Sequence, residues 1–238
     1  MMPAQFTIAS GTRLITTAKT RPISYPFCIG CWFLTDAISA VVANIMYLSV
    51  GTVGHARLAR STAALLMGSP AGNSNTIAIA ANTWYYVLAR FITAGRRMHL
   101  FTPSTGVIAH IAPTVPGADV VCDTISIGGN MAATPVELWG GQIGEIWLMQ
   151  DDICPDSAAN PTDDFISNLA RHGPLYAAPH KANRLVMYHS LRRRVDRDET
   201  GLSWASRPTR AHIMGRPSLA TWSDIYPLPG PDINRMIV

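Results

Sequence analysis

Apolar positions along the first 150 residues fall into short alternating or continuous blocks, separated by Gly, Pro, Asn and Ser. That punctuation predicts strands and turns rather than helices. Gln5–Thr17 alternates loosely through Phe6, Ile8, Leu14 and Ile15 around Gly11, which predicts two short strands. Phe27–Val53 is the most apolar stretch. A membrane span there would bury Asp36, at about 2.5–3.5 kcal/mol on insertion scales, and Asn44 besides. Two buried strands, Phe27–Leu34 and Val41–Val50, turning at Asp36–Ser39, account for the same residues better. Arg57–Met67 fits a short helix or a strand equally. Ser69–Asn75 reads as a turn cluster and Thr76–Ala81 as a strand. Trp84–Thr93 is rich in aromatic and β-branched residues and predicts a strand. Ala94-Gly95-Arg96 turns into Met98–Thr102, and Pro103–Gly106 turns into Val107–Ile111. Thr124–Ile127 and Gln142–Gln150 are two further strands around the Gly128-Gly129 turn and a polar excursion. Hairpin after hairpin at this spacing predicts an antiparallel sandwich or barrel.

After Gln150 the pattern changes. Asn160-Pro161-Thr162-Asp163-Asp164 leads into Phe165–Arg171 and then His172-Gly173-Pro174. Proline and acids early, Arg and His late, and Gly-Pro at the end predict a short helix. Leu185–Tyr188 reads as one more strand. From Trp204 on, isolated hydrophobics between Pro208, Pro217, Pro227, Pro229 and Pro231 predict an extended arm.

Composition sharpens this picture. The 238 residues suffice to bury a substantial core without staples. Charged residues make up only 14% of the chain, against about 25% usually. A surface so poor in charge is expected to meet other protein in part, and ten Met and six Trp point the same way. The net charge of +4 is unevenly placed: ten of the 19 Lys and Arg residues, but five of the 15 Asp and Glu residues, lie within 181–238. That basic segment suits an acidic face of a neighbour. Arg192, Arg193 and Arg194 form its sharpest cluster. Asp196, Asp198 and Glu199 offset them and no aromatics interleave for base stacking, so nucleic acid is not the expected partner.

The four cysteines, Cys28, Cys31, Cys122 and Cys154, do not make a zinc site: Cys28-x-x-Cys31 lacks a second half. In a strand the pair points to opposite faces, so small buried apolar residues are expected. Met1–Lys19 has no apolar core, so no signal peptide is expected, and folding in a reducing cytoplasm is.

The ordered strands resemble the laminin-G-like, or concanavalin A-like, jelly-roll superfamily over about residues 20–175. Phe27, Ile29 and Trp32, then Ile45 and Leu48, are similar to its first strand pair. Asn82–Ala89 is similar to its "n-x-W-h-h-V-A" strand, and Arg97–Phe101 to its next hairpin without the Asp-Gly turn. Ile125–Gly128 and Gly141–Gln150 resemble "l-x-I-G" and "G-x-I-D-E-V-R-I-W-N"; Gly141, Ile143, Glu145, Ile146, Leu148 and Gln150 agree, and Gly144, Trp147 and Met149 depart. Leu185–Gly201 resembles the opening strand of such domains but comes late, as a rearranged last strand or an appended module. The resemblance implies an all-β fold: an antiparallel β-sandwich of the concanavalin A-like jelly-roll type, with one short helix and an irregular C-terminal arm. The sandwich is expected over 1–178, and a basic, Pro-rich strand and arm over 179–238.

The superfamily includes glucanases, whose paired carboxylates stand about 5–5.5 Å apart in retaining enzymes. The best match begins at Glu145, but Trp147 occupies the required Asp position, and Met149 and Gln150 the later acid positions. Catalysis is therefore not expected. Asp196–Gly201 starts like a calcium loop, yet Arg207 stands where a bidentate Glu is needed. Gly140-Gly141-x-x-Gly144 leads into a strand, so no helix N-terminus cradles an anion. The expected cofactors are none; calcium is compatible with the resemblance, without named ligands.

These readings imply a non-catalytic structural or decoration protein of a large assembly, a phage virion assembled in the host cytoplasm, contacting virion proteins and copies of itself. The alternative is a carbohydrate-binding, lectin-like module with a glycan partner. No membrane partner is expected. The contact residues singled out are Trp147, Met149, Arg192, Arg193, Arg194 and Trp222. Trp147 shares a strand face with Glu145 and Met149, opposite Ile146 and Leu148. It is expected to lie under the C-terminal segment or a neighbouring subunit, or else to fill a second internal layer.

Overall fold

A computed structural model describes residues 4–6, 13–16, 23–36, 39–69, 72–93, 95–114, 121–130, 137–156, 159–189 and 211–214. The strands are β1 (Ala4–Phe6), β2 (Arg13–Thr16), β3 (Phe27–Thr35), β4 (Ser39–Val50), β5 (Val53–Thr62), β6 (Ala64–Ser69), β7 (Gly72–Ala78), β8 (Trp84–Ile92), β9 (Gly95–Thr102), β10 (Val107–Thr114), β11 (Thr124–Ile127), β12 (Gly141–Met149), β13 (Leu185–His189) and β14 (Ala211–Met214). Helix α1 spans Asp163–His172, the one-turn helix α2 spans Pro174–Ala177, and a 3-10 turn covers Pro179–Arg184. The strands form two seven-stranded antiparallel sheets. The first runs β1-β12-β3-β8-β9-β10 with β13 also on β12, and the second runs β14-β2-β11-β4-β5-β6-β7. This is the expected all-β, antiparallel sandwich with a short helix.

The continuous apolar runs have a physical cause: the first sheet is covered on both faces. Alternate residues of one strand point to opposite sides. On β3, Phe27, Ile29, Cys31 and Phe33 point into the core between the sheets, while Cys28 and Trp32 point outward into a second core. On β8, Tyr85, Val87, Ala89 and Phe91 point inward, and Trp84, Tyr86 and Leu88 outward. On β12, Ile143, Ile146 and Leu148 point inward, and Trp147 and Met149 outward. All four cysteines are buried and reduced, with Cys28 and Cys31 on opposite faces of β3.

Helix α1 closes the second core with Ile166, Leu169 and Ala170. Its start is set by Thr162, whose hydroxyl accepts from the Phe165 N–H at 3.2 Å. Its end is set by Gly173, at φ 78°, whose N–H donates to the Leu169 carbonyl. Trp32 Nε1 donates to the Ala170 carbonyl at 3.0 Å and pins the helix to the sheet.

Where the sequence left helix or strand open at Arg57–Met67, both β5 and β6 are strands, paired from Arg57–Gly68 to Ser61–Ala64. The turn expected over Ser69–Asn75 is shorter: Ser69 already pairs with Gly72, and β7 carries Asn75 and Thr76 opposite Met67 and Leu66. The Gly, Asn and Ser there are strand residues because edge strand β7 needs few apolar side chains. The strand expected over Thr76–Ala81 accordingly starts earlier and stops at Ala78. Strand β9 starts at Gly95 rather than Met98. Beyond residue 178, β13 pairs with β12 and β14 with β2, so the late segment supplies a strand to each sheet.

Candidate functional site

The outer face of β12 is where a hydrolase of this fold would place its acids. Trp147 pairs across to Gly30 on β3 and to Tyr188 on β13. Gly30 is required there, because a Cβ on it would overlap the Trp147 indole. Trp147 and Met149 are both 0% exposed, in one buried layer with Trp32, Tyr86, Ile166 and Leu169. Neither residue reaches the surface, so neither contacts a partner of the folded chain. The layer that hides them comes from the chain itself, which sequence patterning places only as a face, not as a cover. Arg192, Arg193, Arg194 and Trp222 lie outside the described residues, as does the Asp196–Gly201 motif.

At one end of this layer Arg90 clamps the segment after β12. Its Nε and Nη2 donate to the two Asp152 oxygens at 2.9 and 2.6 Å. Its Nη1 and Nη2 also reach the carbonyls of Ala159 and Asp156. Asp152 accepts from the Cys154 N–H at 3.2 Å, and its carbonyl accepts from Lys181. Burial works against the Arg90 charge, and the hydrogen-bonded Asp152 carboxylate outweighs it and raises the pKa. The Cys28 thiol is pushed up by burial and then by Asp152, which makes it inert. The clamp is structural, since its charge is met within the chain.

A second polar chain anchors α1. His99 and His110 face each other through Nδ1 at 2.8 Å, and His110 Nε2 lies 3.1 Å from Asp163. Burial, reinforced by Arg90, His110 and Arg97, lowers the pKa of His99 to about 3, so its ring is neutral at pH 7.

The outer face of the second sheet differs. Ile125 and Ile127 of β11, Met46 and Leu48 of β4, and Ala56 and Leu58 of β5 point into the core between the sheets. Ser126, Tyr47 and Arg57 therefore point outward, and they are cross-strand neighbours in that order. A bulge in β4 between Asn44 and Met46 brings Asn44 to the same cluster. Glu137 lies against it: its Oε2 accepts from Asn44 Nδ2 at 2.9 Å and its Oε1 from Arg57 Nη1 at 3.2 Å. The Glu137 carbonyl also accepts from the Asn44 N–H at 2.8 Å. Two residues on, Trp139 is fully buried in the core, edge-on to Phe33. That anchor fixes the segment, and Glu137 itself takes φ 54°.

Asn44 Oδ1, Arg57 Nε and Ser126 Oγ are buried and have no hydrogen-bond partner among the described residues. A buried polar atom left this way costs about 1–3 kcal/mol, so three at one place mark a site with unfilled capacity. Burial, and then Glu137, raise the pKa of Tyr47, against the pull of Arg57 and a Gly54 backbone bond. Among the described residues no group of three or more His, Cys, Asp and Glu side chains is placed to hold a metal ion. Sequence reasoning used Asn44 only against a membrane span and gave Arg57, Tyr47, Ser126 and Glu137 no role. The one legible signal was an Asn inside the apolar run VVANIMYL.

No family model and no curated protein sequence matches the chain. Solved structures do. A putative carbohydrate binding protein from Bacteroides ovatus superposes with TM-score 0.57 at 14% identity, covering 90% of this chain and 59% of that one. A heptameric SAP-like pentraxin from Limulus polyphemus gives TM-score 0.51 at 14% identity, covering 71% of this chain and 80% of that one. The enzymatically active domain of bacteriophage CBA120 tailspike protein 2 gives 0.51 at 12% identity, covering 81% of this chain and 30% of that one. At such identities the likeness establishes the jelly-roll sandwich and nothing finer.

Proposed function

We propose that the chain is a non-catalytic structural protein of a large assembly, a phage virion built in the host cytoplasm, using its sandwich for contacts with copies of itself and other virion proteins. The supporting observation is what the rim of the second sheet exposes. Val50 and Val53 pair at the β4–β5 turn, and they are 39% and 61% exposed. Val121, 53% exposed, stands two residues before Asp123, which bonds to Ser49 and Gly51 of the same turn. Three bare valines at one corner suit a protein contact. By contrast, Trp32, Trp84, Trp139 and Trp147 are all buried. The acid position of glucanases holds Trp147, and Asp152 is neutralised by Arg90. The tailspike domain of the same fold supports the virion setting. Sedimentation equilibrium tests this reading. The chain is expected to self-associate, and Val50→Ser with Val53→Ser and Val121→Ser to remain a monomer. A wild-type monomer at every concentration would remove the self-contact.

A second reading, a lectin-like module, is favoured by the under-satisfied Asn44, Arg57 and Ser126 beside Tyr47. Its support is a set of convergent polar groups, which sugars need for orientation. A glycan array silent for all sugars would discard it.

A further inference from the structure

One of the chain's own side chains sits on the polar cluster of the second sheet without satisfying it. Glu137 gives Arg57 a single contact, through Nη1, and Arg57 Nε has no partner among the described residues. A guanidinium holds a carboxylate best fork to fork, through two parallel N–H bonds. Asn44 donates to Glu137, while its Oδ1 needs a donor, which a carboxylate cannot be. Ser126 Oγ can donate or accept and does neither among the described residues. The missing partners are thus a second carboxylate contact and hydroxyl groups, all beside Tyr47. The cluster meets water on the side of Glu137 and Arg57, whose side chains are 26% and 13% exposed, while Asn44 and Ser126 are buried. Trp139 is held in the core by its own side chain, apart from the Glu137 contacts.

We propose that Asn44, Tyr47, Arg57 and Ser126 form a receptor for a carboxylated sugar of the uronic acid type, and that Glu137 holds its carboxylate position until the ligand displaces it. The inference rests on the lectin-like reading and narrows it. The ligand carboxylate takes both edges of Arg57, a ring hydroxyl donates to Asn44 Oδ1, and another meets Ser126. A neutral sugar cannot replace Glu137, because it would leave the Arg57 charge without a counter-charge.

Calorimetric titration of the full chain with oligogalacturonate and with its neutral methyl ester tests this. Glu137→Gln keeps the size of the side chain and removes its charge. Binding of the acid is expected to tighten about tenfold in that variant, to disappear in Arg57→Gln, and to weaken as salt is raised. The ester is expected not to bind. Equal affinity of wild type and Glu137→Gln for the acid would overturn the displacement. Ester binding as strong as the acid's would overturn the carboxylate requirement and leave the lectin-like reading standing. Silence of both sugars in both proteins removes the inference, whereas the broader reading falls only with a silent array. Should Glu137→Gln not fold, saturation-transfer NMR on the wild-type chain decides. Transfer to the acid but not the ester supports the proposal, and transfer to neither overturns it.

Discussion

The two sheets turn opposite kinds of surface outward. The first presents Trp32, Tyr86, Trp147 and Met149, and the chain seals them with α1. The second presents Asn44, Tyr47, Arg57 and Ser126, met by one partly exposed carboxylate. Both are faces of seven-stranded antiparallel sheets in one sandwich. The difference lies in what the outward positions carry. Apolar outward residues must be covered, and the cover turns a face into a core. Asn44 and Ser126 are polar but buried, so the hydrogen-bonding capacity they keep unmatched is held at a cost to the fold. The first sheet's outer face therefore belongs to folding, and the unmatched polar groups lie on the second.

The comparison breaks most sharply at the clamp. Asp152→Ala leaves Arg90 buried and without its carboxylate, with side-chain exposures of 0% and 8% in the pair. Removing one partner of such a pair costs about 3–5 kcal/mol, to be read from urea unfolding. A loss under about 1 kcal/mol would mean that the cover holds without it.

The next effect comes from pH. The His99 ring stays neutral in the fold, its pKa lowered to about 3 chiefly by burial, while the unfolded chain protonates near 6.5. Between these values the unfolded state binds more protons, so stability is complete above about 6.5 and is lost as pH falls toward 3. A drop from pH 7 to pH 5 should cost about 2 kcal/mol, and His99→Gln should lose that part of the slope. Identical slopes in the two proteins would assign the dependence to other groups.

Gly30→Ala should cost about 1–3 kcal/mol, as overpacking does, because the new methyl meets the Trp147 indole. Trp147 fluorescence should shift toward the solvent-exposed value; an unchanged spectrum and midpoint would show that the layer yields freely. On the other sheet, Glu137→Gln should change stability by less than about 1 kcal/mol. A larger loss there would make Glu137 a structural anchor and erase the contrast between the faces.

One strand of each sheet illustrates what was readable in advance. Thr124–Ile127 is β11 as read, and Gln142–Gln150 shifts by one residue to β12. Both follow from local apolar blocks between glycines. The division of Ile146 and Leu148 from Trp147 and Met149 followed from the two-residue strand period. Gln150, just past β12, ties it to the segment leading into β3: its Nε2 donates to the carbonyls of Ser24 and Pro26, and its Oε1 accepts from the Ser24 N–H. The turn predicted over Ser69–Asn75 is shorter in the structure, because residue type marks a turn less well than strand pairing does.

The polar cluster of the second sheet was not readable. Asn44 and Arg57 are 93 and 80 residues from Glu137 in the chain, and Arg90 is 62 from Asp152. No local pattern links such pairs. The amino-acid sequence alone determined that the chain is a sandwich of hairpins, which residues share a strand face, where the short helix lies to within two residues, and that Trp147 stands at the position where a glucanase carries an acid. Periodicity and capping are local, so they are written in neighbouring residues. Only the tertiary structure decided that Trp147 lies under the chain's own helix layer, that Arg90 and Asp152 neutralise each other, and that Glu137 rests on Asn44 and Arg57. Each of these depends on which outward face another segment comes to cover, and that is settled by packing between residues far apart in the chain.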